Sequence, residues 1–253
     1  MISGPLVKYV MTAALRDRLV LSLFLMIVVG ASIAVFMGAS AVTEKNQFAL
    51  VFASGGLRLA GVIGLILFIS VYIRRAFDAR DVEYLLSRPL SRASFILSHA
   101  AAFSLLAAGV AVAVAGVVGI MAWHAPGAGY FLWAFSLMVE FVIIANAALF
   151  FSMVLPGAAS SSLAVLGLYV LSRLMGQILG IIGVAQPIFG FKILATAFQA
   201  TSLIVPRLDL LAQTSWLVYG PGTIGWGFVA LQGVAYLALL LTAALTDLTR
   251  RQF

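Results

Sequence analysis

Six apolar runs constrain this chain more than any other feature, each close to the ~20 residues that an α-helix needs to cross a bilayer core. They fall at about 19–41, 57–73, 93–121, 130–155, 159–183 and 224–246. In lipid the backbone N–H and C=O groups find no water, so runs of this kind close as helices. Of the 253 residues, 64% are hydrophobic and 9% charged, whereas a soluble domain carries about a quarter charged residues. The expected fold class is all-α: a polytopic integral membrane protein with six transmembrane helices in one domain, 1–253. The apolar stretch from about Leu19 to Gly38 precedes Ala39-Ser40-Ala41, which resembles a signal-peptidase site. It is longer than the about 7–15 residues of a secretory apolar region and is read as an uncleaved span.

The net charge of +7 sits mostly at span ends, where Lys and Arg set orientation, and forms no patch suited to nucleic acid. With six spans, both termini share one side. Lys8, Arg16, Arg18, Arg74, Arg75, Arg80, Arg88, Arg92, Arg250 and Arg251 then lie inside, and Lys45, Arg58, Lys192 and Arg207 outside. The expected localisation is a multi-pass protein of the cell (cytoplasmic) membrane with both termini cytoplasmic. The outer loop after the first span is expected over Thr43 to Gly56, with a turn at Ser54-Gly55-Gly56. A seventh span within 184–222 would carry Arg250 and Arg251 outside. That stretch is therefore read as two outer re-entrant or interfacial segments, with Trp216 and Tyr219 in the aromatic belt. Residues 5–18 precede the first span. Pro5 suits a helix start, and Lys8, Thr12 and Arg16 share a face. The segment is either a helix lying in the interface or an extension of the first span.

The one long charged island is Tyr72 to Ala100, YIRRAFDARDVEYLLSRPLSRASFILSHA. Ala79, Val82, Leu85 and Leu86 fall on one helical face, with Arg80, Glu83, Tyr84 and Ser87 on the other. Pro89 pushes Arg88 out of the helical region, so a short amphipathic helix is expected from about Asp78 to Ser87. Ser91 is the expected N-cap of the next span.

The run EYLLSRPLSRASFILSH resembles the cytoplasmic loop of ABC transporter permeases of the type-2 export family. That group includes permeases of multi-copper enzyme maturation and drug and lipid exporters. Leu85, Leu86, Ser87, Pro89, Ser91 and Arg92 match its pattern, whereas Asp81 and Val82 replace a usual Gly-Thr and His99 a usual Lys. The resemblance implies that 78–92 is a cytoplasmic coupling helix and loop docking on an ATPase subunit, through Arg80, Asp81, Glu83, Tyr84 and Ser87. It also implies an interfacial elbow at 5–18, short outer helices before the last span, and a second copy or homologous permease as partner. For Arg88 and Arg92, the alternative partner is anionic lipid at the inner interface. No G-x-x-x-x-G-K-[ST] phosphate loop occurs, so ATP and Mg are expected in a partner ATPase and no cofactor in this chain.

Two ionisable residues fall deep inside apolar runs, where they need a partner or a wet cavity. Glu140 lies nine residues from Phe131 and Arg173 ten from Gly183, both roughly 14–15 Å deep at ~1.5 Å per residue. Adjacent antiparallel spans would bring them level, so a buried Glu140–Arg173 ion pair is expected, as a pin between helices or as part of a substrate path. Gly176 and Gly180 are four apart, a spacing that lets another helix approach closely. The family resemblance makes them candidates for the subunit interface. His99 is read as facing the interface or capping, and His124 lies alone. Neither makes a metal site, and no Cys is present. No catalytic motif is found, which points to a non-catalytic transmembrane subunit. The expected function is an ATP-driven exporter permease. The alternative is an ion-coupled secondary transporter using Glu140.

Overall fold

The computed structural model describes residues 2–40, 44–79, 91–122, 129–185 and 191–250. Among these the chain is helical, with no strand. The helices are α1 (Gly4–Arg16), α2 (Arg18–Ser40), α3 (Lys45–Asp78), α4 (Arg92–Met121), α5 (Gly129–Val154), α6 (Ala158–Ala185), α7 (Phe191–Ile204), α8 (Trp216–Tyr219) and α9 (Trp226–Arg250). A 3₁₀ turn, Leu208–Leu210, sits between α7 and α8. Six of them (α2, α3, α4, α5, α6 and α9) are long and apolar enough to cross a membrane. The chain is an all-α, multi-pass membrane protein. At 14 residues, α7 is about 21 Å long, short of the ~30 Å hydrocarbon core.

Helix α5 is the hub, packed against α3, α4, α6, α8 and α9. Two-thirds of its apolar window is buried, against 22%, 28% and 17% for α2, α6 and α9. Those three turn broad apolar faces outward, among them Leu21, Leu25, Phe36, Leu163, Val170, Leu231 and Val234. Such faces suit lipid rather than water.

Helix α3 starts much earlier than its apolar run suggests. The loop expected over Thr43 to Gly56 is helical from Lys45 onward, giving a helix of 34 residues. Ala49, Leu50, Ala53 and Leu57 repeat at helical spacing and are buried. Gly38 of α2 lies against Ala49, and a Cβ on Gly30 would come within 2.8 Å of Leu57 Cδ2. This packing outweighs the turn tendency of Ser54-Gly55-Gly56, and Ser54 Oγ is spent on Val51 O at 3.0 Å. At about 51 Å, α3 tilts or protrudes relative to a ~30 Å hydrocarbon core.

The α1–α2 boundary resolves the two readings of 5–18. Asp17 is extended, with φ −76 and ψ 134, and its Oδ1 accepts from Leu19 N at 2.8 Å. So α1 is a separate helix and not an extension of α2. It buries Leu6, Val10 and Ala14 and packs chiefly against α4, where Ser3 N donates to Ser98 Oγ at 2.8 Å. Asp17 also pairs with Arg75 at the end of α3, at 3.5 Å.

Ser91 caps α4, its side chain accepting from Ser94 N at 3.1 Å. His99 does not face an interface. It is 3% exposed, with its ring 4.2 Å from that of Phe95 and close to Tyr72 and Phe103.

The α3–α5 contact is close because Gly61 faces the Phe141 ring. A Cβ on Gly61 would come within 2.6 Å of Phe141 Cζ. Without a water-driven hydrophobic term between spans, such close packing carries much of the association. Gly61→Val is therefore expected to lower stability by about 1–3 kcal/mol through overpacking. The measurement is the unfolding midpoint in mixed micelles, and an unchanged midpoint would contradict the contact.

Candidate functional site

The six spans alternate in direction, so the Lys45 end of α3, the Gly129 end of α5 and the Ala185 end of α6 share one side of the bundle. Arg58, Glu140 and Arg173 each lie between eleven and thirteen residues from those ends. Three charges thus sit at one level, about 17–20 Å along their helices at ~1.5 Å per residue.

They converge. Arg173 Nη1 is 3.5 Å from Glu140 Oε2. Arg58 Nε is 4.0 Å from Glu140 Oε1. The Glu140 side chain is 0% exposed, and those of Arg58 and Arg173 are 14% and 21%. Tyr169 lies beside the Glu140 carboxylate. Its position one helical turn before Arg173 puts both on the same face of α6.

Two guanidiniums against one carboxylate leave an excess positive charge, and backbone carbonyls answer it. After Pro206 the chain turns back into the bundle, burying Leu208, Leu211 and Ala212 completely. Arg173 Nη1 donates to Leu208 O and, at 2.8 Å, to Leu211 O. Its Nη2 reaches Ala212 O at 3.5 Å. Arg58 Nη1 donates to the same Ala212 O at 2.8 Å, and Ala212 N donates to Ser136 Oγ at 2.8 Å. Non-helical backbone at membrane depth is tolerated only where protein satisfies its polar groups, and these contacts meet that condition.

The strap, Leu208–Ala212, is strained and pinned at its flanks. Ala212 has φ 45, a left-handed conformation that costs a non-glycine residue about 1–3 kcal/mol and persists only when its surroundings over-determine it. Arg207 and Asp209 form a two-point pair at 3.0 and 2.8 Å. Hydrogen bonding to Asp209 raises the Arg207 pKa above its ordinary value, so Arg207 stays charged at any ordinary pH. Tyr236 of α9 donates to Val205 O at 3.0 Å. Past the strap, the Trp216 carbonyl lies against Gly129.

Several expected site residues take definite places. Glu140 and Arg173 are brought together. Gly176 lies against the Asp209 carboxylate of its own chain, while Gly180 has open space beside it. The coupling residues Arg80, Asp81, Glu83, Tyr84 and Ser87 lie outside the described residues, as do Arg88 and His124.

Sequence reasoning missed Arg58, counting it among the outer-loop cations. The signal was the stripe Ala49, Leu50, Ala53 and Leu57, which carries helix through the supposed turn and sets Arg58 at the depth of the other two. Sequence reasoning also missed Tyr169, which its spacing of four from Arg173 could have shown. The strap was legible only as one of two alternatives, since 184–222 reads as re-entrant or interfacial and Arg207, Asp209, Gln213 and Ser215 do not decide between them.

Among the described residues no group of three or more His, Cys, Asp or Glu gathers that could hold a metal. Chemically, the arrangement can set a carboxyl group between two cations and bind backbone or anionic oxygen at half depth. No family model matches the chain, and no curated protein matches it either.

Proposed function

We propose that this chain is the membrane-spanning permease subunit of an ATP-driven ABC transporter of the type-2 export group. Two copies form the translocation path, and each engages a separate ATPase through residues 78–92. ATP and Mg belong to that partner, and this subunit does no catalysis. Alternating access follows when ATP-driven closure of the ATPases moves the coupling segments and, with them, the paired bundles.

One observation carries the reading: the charged island between the second and third spans, with Leu85, Leu86, Ser87, Pro89, Ser91 and Arg92 in the pattern of a coupling loop. The layout around it is compatible. A separate amphipathic helix α1 precedes six apolar helices, and short segments precede the last. The charge count supports cytoplasmic termini in the cell membrane. Gly180, open on its outer side, is the better of the two glycines for packing against a second copy.

Mild-detergent purification of the chain from its native membrane is expected to bring down an ATPase with a phosphate-loop motif. Arg80→Glu and Glu83→Lys are expected to weaken that association tenfold or more, by the ~1.4 kcal/mol that a tenfold change in affinity represents. Retention of the ATPase by both variants, or no ATPase at all, would remove the assignment.

Full burial of Glu140 between two cations favours a second reading, an ion-coupled transporter using that carboxylate. Proton-driven uptake by proteoliposomes of this chain alone would establish it in place of the first.

A further inference from the structure

We propose that Leu208–Ala212 is a latched strap that closes the Lys45 end of the bundle. In this latch Glu140 is a positioning residue: it holds the guanidiniums of Arg58 and Arg173 on the strap's carbonyls. The inference depends on the transporter reading only for the use made of the opening. The latch itself stands on geometry.

The side chains that hold the strap down come from three separate helices: Arg58 from α3, Ser136 from α5 and Arg173 from α6. None of these bonds is a helix or sheet ladder, so the strap can leave without unwinding any span. Its flanks suit a hinge. Pro206 precedes it, and Gly220, at φ 81, and Pro221 follow α8. Ala212 stores strain that lifting would release.

Glu140 does not touch the strap. Its two oxygens face one guanidinium each, Oε1 toward Arg58 and Oε2 toward Arg173. Without that charge, two like-charged guanidiniums at one level repel each other, and their alignment on shared Ala212 O is lost. Local openings of this kind draw on segments held by few contacts.

The chain contains no cysteine, so single reporters are clean. Leu211→Cys places a thiol on the strap and Val110→Cys one inside α4, both at fully buried positions. The full chain in nanodiscs is labelled with a charged maleimide, with no substrate or ATPase present. Leu211→Cys is expected to react slowly and Val110→Cys to stay inert. Glu140→Gln is expected to raise the Leu211→Cys rate by about tenfold or more, the scale of a lost latch contact, and to leave Val110→Cys inert. Arg58→Lys keeps the charge and removes the planar fork. It is expected to act in the same direction, and it decides the matter if Glu140→Gln exposes the α4 reporter. Unchanged Leu211→Cys rates in both variants would overturn the latch. So would an α4 reporter that opens in step with the strap in both, since the strap would then have no motion of its own. A failed ATPase co-purification leaves this result untouched.

Discussion

Arg173→Met is expected to destabilise the protein by ~3–5 kcal/mol, the usual cost of leaving one member of a buried ion pair behind. The substitution removes the 3.5 Å partner of Glu140 Oε2 and leaves that carboxylate, fully buried, to Arg58 at 4.0 Å. It also strips donors from the carbonyls of Leu208 and Leu211. Each buried acceptor left unpaired costs about 1–3 kcal/mol, and such costs do not simply add. The unfolding midpoint in mixed micelles measures the total. Arg173→Lys separates the two contributions. The ammonium keeps a charge near Glu140 but cannot span carbonyls and carboxylate with one planar fork, so an intermediate loss is expected. If Arg173→Met unfolded within ~1 kcal/mol of the parent, against the cost expected of a buried pair, Arg173 would be a bystander.

Gly129→Val is expected to unseat α8 and loosen the strap, at a cost of about 1–3 kcal/mol from overpacking. Any Cβ at Gly129 meets the Trp216 backbone carbonyl, and backbone gives way less readily than a side chain. The loss should grow from Ala to Val. Trp216 is 3% exposed and Trp133 fully buried, which provides a reporter. With Trp123 and Trp226 replaced by Phe, acrylamide should quench the parent weakly. Gly129→Val should expose Trp216 and leave Trp133 as an unquenched reference. Equal quenching in parent and variant would show that the Gly129 contact does not seat α8.

The spans were legible because each is a local property. A run such as 130–155 must be helical in lipid whatever lies beside it. The level of Glu140 and Arg173 was legible too, since helix rise converts residue counts into depth. The start of α3 was not, because turn chemistry at Ser54-Gly55-Gly56 competes with packing on Gly38 and Gly30, and only the presence of α2 decides between them. His99 was misplaced for the same reason. Phe95 and Phe103 stand one helical turn either side of it, but nothing beside it in sequence reveals Tyr72 of α3 closing over its ring.

From the order of its residues alone, this protein is a six-span helical bundle with a buried acid and base at one depth and a charged segment between its second and third spans. Each follows from composition and periodicity over windows shorter than a helix. Only the tertiary structure decided that the polar stretch after Pro206 dives inward, and that Arg58 meets it there across 154 positions of chain. The reason is electrostatic. A strap of bare carbonyls and an unbalanced pair of guanidiniums are each unfavourable at that depth, and no local pattern records that each relieves the other.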